Sequence, residues 1–368
     1  MKRISSLLLA IVMLLGLTAG LSISAYAETE EDEILVCDGY TYVLLEDGTA
    51  EITGYTGEET ALSIPAELDG YTVTSIGESA FYRCNALTEV NISETVTNIG
   101  DDAFFYCKGL ENINVSPNNA VYSSENGVLF NKDKTTIIQY PSGNKGSTYS
   151  IPDSVTTIAP RAFSFNDSLK SMDIPDGVTG MGYDAFFRCE NLESVTIGKG
   201  ISVIDARAFY GCSSLKDVTI PNGVSKIETE ALSDCTGLTE VILPESVTSI
   251  EAGAFAFCTS LESIKMPEGL THLSSSAFEA CSSLKSIVIP VGIQEMEFYQ
   301  FSDCEKLESF YIMNKDMVFG ESRWPLENAT IYGYAGSTAQ AYAEKNGIRF
   351  VAIDEEDDPA TDGNMSTH

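Results

Sequence analysis

Eight of the nine cysteines lie on a grid. Cys84 and Cys107, and then Cys189, Cys212, Cys235, Cys258, Cys281 and Cys304, recur at every twenty-third position. The one wider gap runs from Cys107 to Cys189, and Asn166 stands a single grid step before Cys189, where a cysteine would fall. A fixed short period marks a solenoid, in which each unit touches only its neighbours and none folds alone. Solenoids offer long repetitive surfaces, so the grid points towards binding rather than catalysis.

Alignment on the grid gives nine units with further fixed positions. Alanine recurs at 80, 103, 162, 185, 208, 231, 254 and 277. Phenylalanine follows it except at Leu232, and Phe301 follows Gln300 in the last unit. Leucine stands at 87, 110, 169, 192, 215, 238, 261, 284 and 307. After each leucine comes a short alternating segment such as Val218-Thr219-Ile220-Pro221 or Val241-Ile242-Leu243-Pro244. Alternation of β-branched residues predicts a strand with its apolar side inward, and the proline ends it because it has no N–H for the ladder. Stacking such units predicts a parallel sheet, with the Val-x-x-Ile segment before each Ala-Phe as a second, shorter strand on another face. Phenylalanine fills each layer, and alanine marks a place too tight for more.

The N-terminus reads as a secretory signal over residues 1–27. Lys2 and Arg3 precede the apolar run Leu7 to Leu17, and Ala25-Tyr26-Ala27 gives a cleavage pattern before Glu28. Removal predicts an exported chain with no membrane insertion. It would carry 19 basic (21 less Lys2 and Arg3) against 54 acidic residues, a net charge of −35. That charge repels phosphate backbones and anionic lipid heads, so nucleic acid is excluded as a partner. The runs Glu30 to Glu33 and Glu355 to Asp358 are solvated ends, and 354–368 is expected to be an acidic disordered tail.

The repeated pattern Val-Thr-x-Ile-x-x-x-Ala-Phe-x-x-Cys-x-x-Leu-x-x-Val-x-Ile-Pro, from about Val73 to Ile312, resembles the BspA-like branch of bacterial leucine-rich repeats. The segment Asn126 to Thr136 is similar to a longer unit of such proteins, and Ile331 to Ser337 to their closing segment. The resemblance implies a mainly β repeat solenoid, a right-handed leucine-rich-repeat stack of about nine 23-residue units at 73–313. It also implies secretion or surface display and adhesion to host proteins or other cells.

Open solenoid ends expose core and need covers. Residues 28–72 contain Tyr40 to Leu44 and Ala50 to Thr53 around the turn-prone Glu46-Asp47-Gly48, which predicts a β-hairpin cap. At 314–353 a C-terminal cap is expected, with a short helix from N-cap Ser337 to the stop at Gly347, then a strand from Arg349 to Ile353. Residues 116–150 more than double the length of one unit and predict a β-excursion from the stack.

No constellation for catalysis emerges, and no cofactor is implied. The two histidines, His272 and His368, belong to no metal or nucleophile motif. A ladder with one cysteine per rung does not give the close spacing of a zinc site. Neighbouring thiols on such a ladder point parallel rather than at one another, which favours free buried thiols over disulfides. The exchange of Asn166 for cysteine hints at a backbone acceptor that both side chains satisfy as donors.

The outward strand position runs Asn91, Asn114, Asp173, Thr196, Thr219, Ile242, Lys265, Val288, Tyr311. It turns partly apolar from Ile242 onward, with Glu240, Glu262, Lys285 and Glu308 alongside as a charged rim. An apolar patch within a polar rim is the composition of an interaction surface. The expected function is protein binding through this face, the partner being an extracellular or host protein. A glycan-binding accessory and a self-associating structural protein are the alternatives. The glycan role needs an exposed aromatic platform, and the single tryptophan, Trp324, falls in the C-terminal cap with Tyr332 and Tyr334.

Overall fold

The structure is a computed structural model, and it describes residues 33–320 and 329–354. The expected signal sequence, the acidic tail, Trp324 and His368 lie outside the described residues. No helix among the described residues is long and apolar enough to cross a membrane.

The repeated segment after each leucine forms one face of the rod. Ser171–Asp173, Ser194–Thr196 and Asp217–Thr219 pair in parallel with a constant register, Met172 to Val195 to Val218. The same offset joins Glu240–Ile242 to Ser263–Lys265 and Ser286–Ile289 to Ser309–Ile312. Inward residues Val195, Val241 and Ile264 are buried, as the alternation requires. A second face carries two-residue strands, Val203–Ile204, Lys226–Ile227, Ser249–Ile250 and His272–Leu273, again paired in parallel. The leucine column falls between these faces. Leu192, Leu215 and Leu238 are each fully buried in one core.

The third face is a turn with two left-handed residues bracketing the Ala-Phe pair. In one rung these are Arg207 at φ 53° and Gly211 at φ 70°, and in the next Glu230 at 56° and Asp234 at 59°. Left-handed backbone costs a non-glycine residue roughly 1 kcal/mol. Here the turn is held by its neighbours. Arg207, Phe209 and Gly211 donate their N–H groups to the carbonyls of Thr229, Ala231 and Ser233 one rung on. The phenylalanines stack face to face, Phe163 on Phe186 at 4.8 Å and Phe186 on Phe209 at 5.2 Å. The column resumes beyond Leu232 with Phe255 on Phe278 at 5.5 Å.

Each grid cysteine from Cys107 onward donates its thiol to a backbone carbonyl of the preceding rung, for example Cys212 Sγ to Phe186 O and Cys235 Sγ to Phe209 O at 3.2 Å. All nine cysteines are free thiols. Asn166 does the same work more fully. Its Nδ2 donates to the carbonyls of Pro141, Ser142 and Asn144, while its Oδ1 accepts from the N–H groups of Ser168 and Leu169.

The stack extends past the cysteine grid at both ends, to about thirteen turns among the described residues. At the start, Leu35–Cys37, Tyr40–Leu44 and Ala50–Tyr55 form an antiparallel meander, whose last strand pairs in parallel with Tyr71–Ile76. Asp38 and Gly39, both at positive φ, make its first tight turn. The main sheet already begins at Ala61–Ser63, paired with Glu89–Ile92. At the other end Thr330–Tyr334 and Arg349–Ile353 add two further parallel rungs. Between them runs the helix Thr338–Asn346, with Ser337 Oγ accepting from Gln340 N–H and Gly347 left-handed at its close. The last grid unit departs from the rest, its turn tightening into the 3₁₀ segment Phe298–Phe301 around buried Gln300.

The long unit corrects one expectation. Its strands Tyr122–Glu125, Val128–Asn131 and Thr136–Gln139 do not leave the stack. They fold into it, the last pairing in parallel with Thr157–Ile158. Val128, Leu129 and Phe130 are all fully buried. Leu129 packs with the core of the preceding rungs, while Val128 and Phe130 pack with the core of the following ones. A strand apolar on both sides satisfies two cores at once, which an excursion into water would not. Buried Asn119 anchors its entry, donating to Ser93 O and Val96 O and accepting from the N–H groups of Val121 and Tyr122.

Candidate interaction surface

The outward strand position does form one column. Asn114, Asp173, Thr196, Thr219, Ile242 and Lys265 are exposed along it, and Asn91 is half-buried, accepting from Asn114 Nδ2. Ile242 is the most open apolar member, 63% exposed.

Two members behave differently from expectation. Val288 is only 9% exposed. It pairs in register with Tyr311, and a short side chain between a lysine and a tyrosine is shaded by both. Tyr311 itself is half-buried, because its ring stacks on Tyr332 of the next rung at 4.5 Å and 18°. The apolar surface is therefore discontinuous: an isolated Ile242, then a tyrosine pair that runs into the C-terminal rungs. Lys315 Nζ lies 4.5 Å over the Tyr334 ring beside it.

The rim is also more ordered than a loose fringe. Glu240 sits on the strand of Ile242 itself, whereas Glu262, Lys285 and Glu308 occupy the position just before the strand, one per rung. Lys285 Nζ bonds Glu262 at 2.5 Å, and this contact holds the Glu262 carboxyl below its usual pKa. The same column pairs Glu193 with Lys170 at 3.9 Å and Lys216 at 3.7 Å. Charges of alternating sign one rung apart neutralise each other along the rod.

The turn face carries a feature that the strand pattern does not reveal. In four rungs the residue after Ala-Phe is aromatic, Tyr82, Phe105, Phe187 and Tyr210, and gives a strip of rings on the outside. Tyr82 stacks on Phe105 at 6.1 Å, and Phe187 on Tyr210 at 5.2 Å. Phe165, one residue later in its turn, bridges them edge-on at 5.3 Å from Phe105 and 5.4 Å from Phe187. Four of the chain's seven arginines, Arg83, Arg161, Arg188 and Arg207, flank the strip. Arg83 lies 5.1 Å over Tyr82 and 5.2 Å over Tyr106. Arg161 lies between Phe105 and Tyr183 and pairs with Asp102 and Asp184. Burial works against its charge, yet Asp102 and the neighbouring groups outweigh that and push its pKa up. The sequence signal was present: aromatic and basic residues recur at the positions after Ala-Phe and at the left-handed position before it.

Burial drives the core thiols up, to about 12 for Cys189 and Cys258, so they stay protonated and are poor nucleophiles or metal ligands at neutral pH. His272 is exposed, 3.7 Å from Glu251. Among the described residues no group of three or more His, Cys, Asp or Glu side chains is placed to hold a metal ion.

A family described as the BspA type leucine rich repeat region matches the chain over residues 60–148, 142–251 and 225–324. Together these spans cover more than half of the 368 residues. The fold is similar to a leucine-rich repeat protein from Eubacterium ventriosum, with 25% identity, a TM-score of 0.53 and 73% of this chain aligned to 93% of that one. It is also similar to one from Bacteroides ovatus, with 29% identity, a TM-score of 0.52 and 81% of this chain aligned to 70% of that one. No curated protein matches the chain.

Proposed function

Because the chain belongs to the BspA-type leucine-rich repeat family, we propose that it is an exported repeat protein that acts outside the cell and binds other proteins through its sheet face. The observation that carries this reading is the run from Ile242 to Tyr332. The parallel strands there present an open isoleucine and a stacked tyrosine pair, beside the Glu262–Lys285 ion pair that joins two rungs. Preordered aromatic groups lose little entropy on contact and are the usual anchors of protein interfaces. Ile242, Lys265, Tyr311 and Tyr332 are the contact residues of this reading, with Val288 as support beneath and Glu240, Glu262, Lys285 and Glu308 as rim. The signature at residues 1–27 supports export, and the excess of acid supports solubility rather than attraction to nucleic acid.

The test uses the mature chain against a panel of purified extracellular host proteins and, in parallel, an oligosaccharide array. The triple variant Ile242→Ser, Tyr311→Ser, Tyr332→Ser should lose at least tenfold in affinity for a protein ligand while keeping its thermal midpoint within a few degrees. Equal capture by the variant, or binding confined to the sugars, removes the reading. Concentration-dependent size of the chain alone would instead point to self-association.

A further inference from the structure

The hydrogen-bond ladder along the turn face is broken at one place. In every complete turn from Arg161 to Phe257, the residue before alanine, the phenylalanine position and the second left-handed residue each donate an N–H to the next rung. The first turn does so too, from Ser79, Phe81 and Arg83 to Asp101, Ala103 and Phe105. At the turn that follows, the N–H groups of Asp102, Phe104 and Tyr106 reach no acceptor among the described residues. The next rung belongs to the long unit, which passes from Thr136–Gln139 through Tyr140 to Gly143 without projecting a turn. A cavity of about 90 Å³ is left between residues 101–105 and 159–161, over Phe104, Leu129 and Ile138.

Every other column is interrupted at the same level. On the main face Asn112–Val115 is the last strand of its sheet, and pairing resumes only where Thr148 bridges Ser171. On the second face Asn98–Ile99 closes one sheet, and the next is built from Tyr122 onward. Phe104 stacks on Phe81 at 5.3 Å, and the ring column restarts with Tyr140 on Phe163 at 5.1 Å. The buried apolar residues form two clusters that meet at the strand Val128–Asn131. Backbone bonds join the two parts on and beside the main face, from Ile113 N–H to Gly127 O and from Gly143 N–H to Leu110 O. A Cβ on Gly143 would stand 2.6 Å from the carbonyl carbon of Gly109, so two bare backbones touch there. Across the cavity run side chains instead: the Asp102–Arg161 ion pair and the contacts of the Phe165 ring with Phe105 and Tyr106.

We propose that this level is a joint in the rod. The parts 34–115 and 128–320 tilt about the line through the Gly109–Gly143 contact and the Ile113–Gly127 bond. The Asp102–Arg161 pair is the latch on the turn side. Each part keeps its own turn intact, because 102–106 is bonded to the rung before it and 161–165 to the rung after it. In the regular stretch the same tilt would stretch three turn bonds at every rung. At the joint no backbone bond on the turn side opposes it, and the cavity gives the turns room to approach. Motion concentrates where the fewest contacts resist it, in a few residues between stiff bodies. Ile242 to Tyr332 lie wholly in the later part, so the joint re-aims that face relative to residues 34–115. It stands or falls apart from the sheet-face reading.

The test measures distance distributions by pulsed electron spin resonance in the full mature chain. Spin labels are carried on azide-bearing non-canonical residues, which leaves the thiols native. One pair replaces Asp101 and Pro160, on opposite sides of the cavity. The control pair replaces Thr229 and Ser275, the same turn position two rungs apart in the regular stretch, and all four residues are exposed. The distribution across the cavity should be at least twice as wide as that of the control pair. Asp102→Asn and Arg161→Gln, each close in size to the native residue, should widen it by at least half again. The control distribution should stay as it was in both variants, which also reports that the rod remains folded. Equal widths for the two pairs overturn the joint, and so does a cavity distribution that neither variant changes.

Discussion

The rungs from Arg161 to Cys281 and the seam between Asp102 and Arg161 solve the same problem with different chemistry. From Asp184 to Cys258 each rung repeats three turn N–H bonds and a thiol donating to a carbonyl, and every one but the Leu232 rung adds a stacked phenylalanine. Each is weak or cheap alone, and each depends on an identical neighbour one repeat away. At the seam that neighbour is missing. Asn119 and Asn166 take over there, each joining several backbone groups, and ion pairs and rings span the gap. A solenoid tolerates an irregular rung when side chains with more hydrogen-bonding capacity replace the backbone pairing it loses.

The largest expected effect is alkaline. Burial raises the thiol pKa values of the regular stretch, to about 12 at Cys189 and Cys258, above 9.0 in the unfolded chain. A folded pKa above the unfolded one gives stability that is complete below pH 9 and lost as pH rises towards 12. Each such thiol removes about 1.4 kcal/mol per pH unit in that window. Urea midpoints should therefore hold up to about pH 9 and fall steeply from there to pH 10.5. Hydrogen exchange should open the rungs bearing Cys189 to Cys304 before those around Asn119, whose amide does not titrate. Uniform opening would erase the contrast.

Removing one ring from the regular stack, Phe209→Ala, should cost ~3–5 kcal/mol through the cavity left between Phe186 and the Leu232 rung, measured by urea denaturation at pH 7. At the seam, Asn166→Ala strands the N–H groups of Ser168 and Leu169 and the carbonyls of Ser142 and Asn144, Pro141 O keeping its bond from Asn144 N–H, and should cost about 2–4 kcal/mol. Asn166→Cys should recover only part of that loss, because a thiol offers a single donor. Full recovery would show that the seam is an ordinary rung. Cys212→Ala, which removes one weak thiol bond from Phe186 O while Cys189 N–H still holds that carbonyl, should cost about 1 kcal/mol. Lys285→Ala, at an exposed rung-to-rung pair, should change stability by less than about 0.5 kcal/mol. A larger loss there would mean that the charge ladder, rather than the core, holds the sheet edge.

Much of this was legible in the chain. The constant offset placed Leu192, Leu215 and Leu238 in one column, and the exchange at Asn166 foretold a backbone acceptor beside the cysteines. Ser337 and Gly347 announced their helix by cap chemistry alone. Val288 was misread, since β-alternation gives the direction of a side chain but not the size of its neighbours on adjacent rungs. The long unit was misplaced for a related reason. Asn126-Gly127 signals a turn, but nothing local says that Val128 and Leu129 face two different cores.

The sequence by itself determined the period, the strand faces, the buried columns and the capped ends, because each follows from residues that repeat or from short-range backbone preference. Only the tertiary structure decided which outward groups stay open to water, how the long unit threads between two cores and where the turn ladder is left unpaired. Those depend on contacts between residues far apart in the chain, as Asp102 and Arg161 are, at the one site where the repeat gives no rule for what lies next to what.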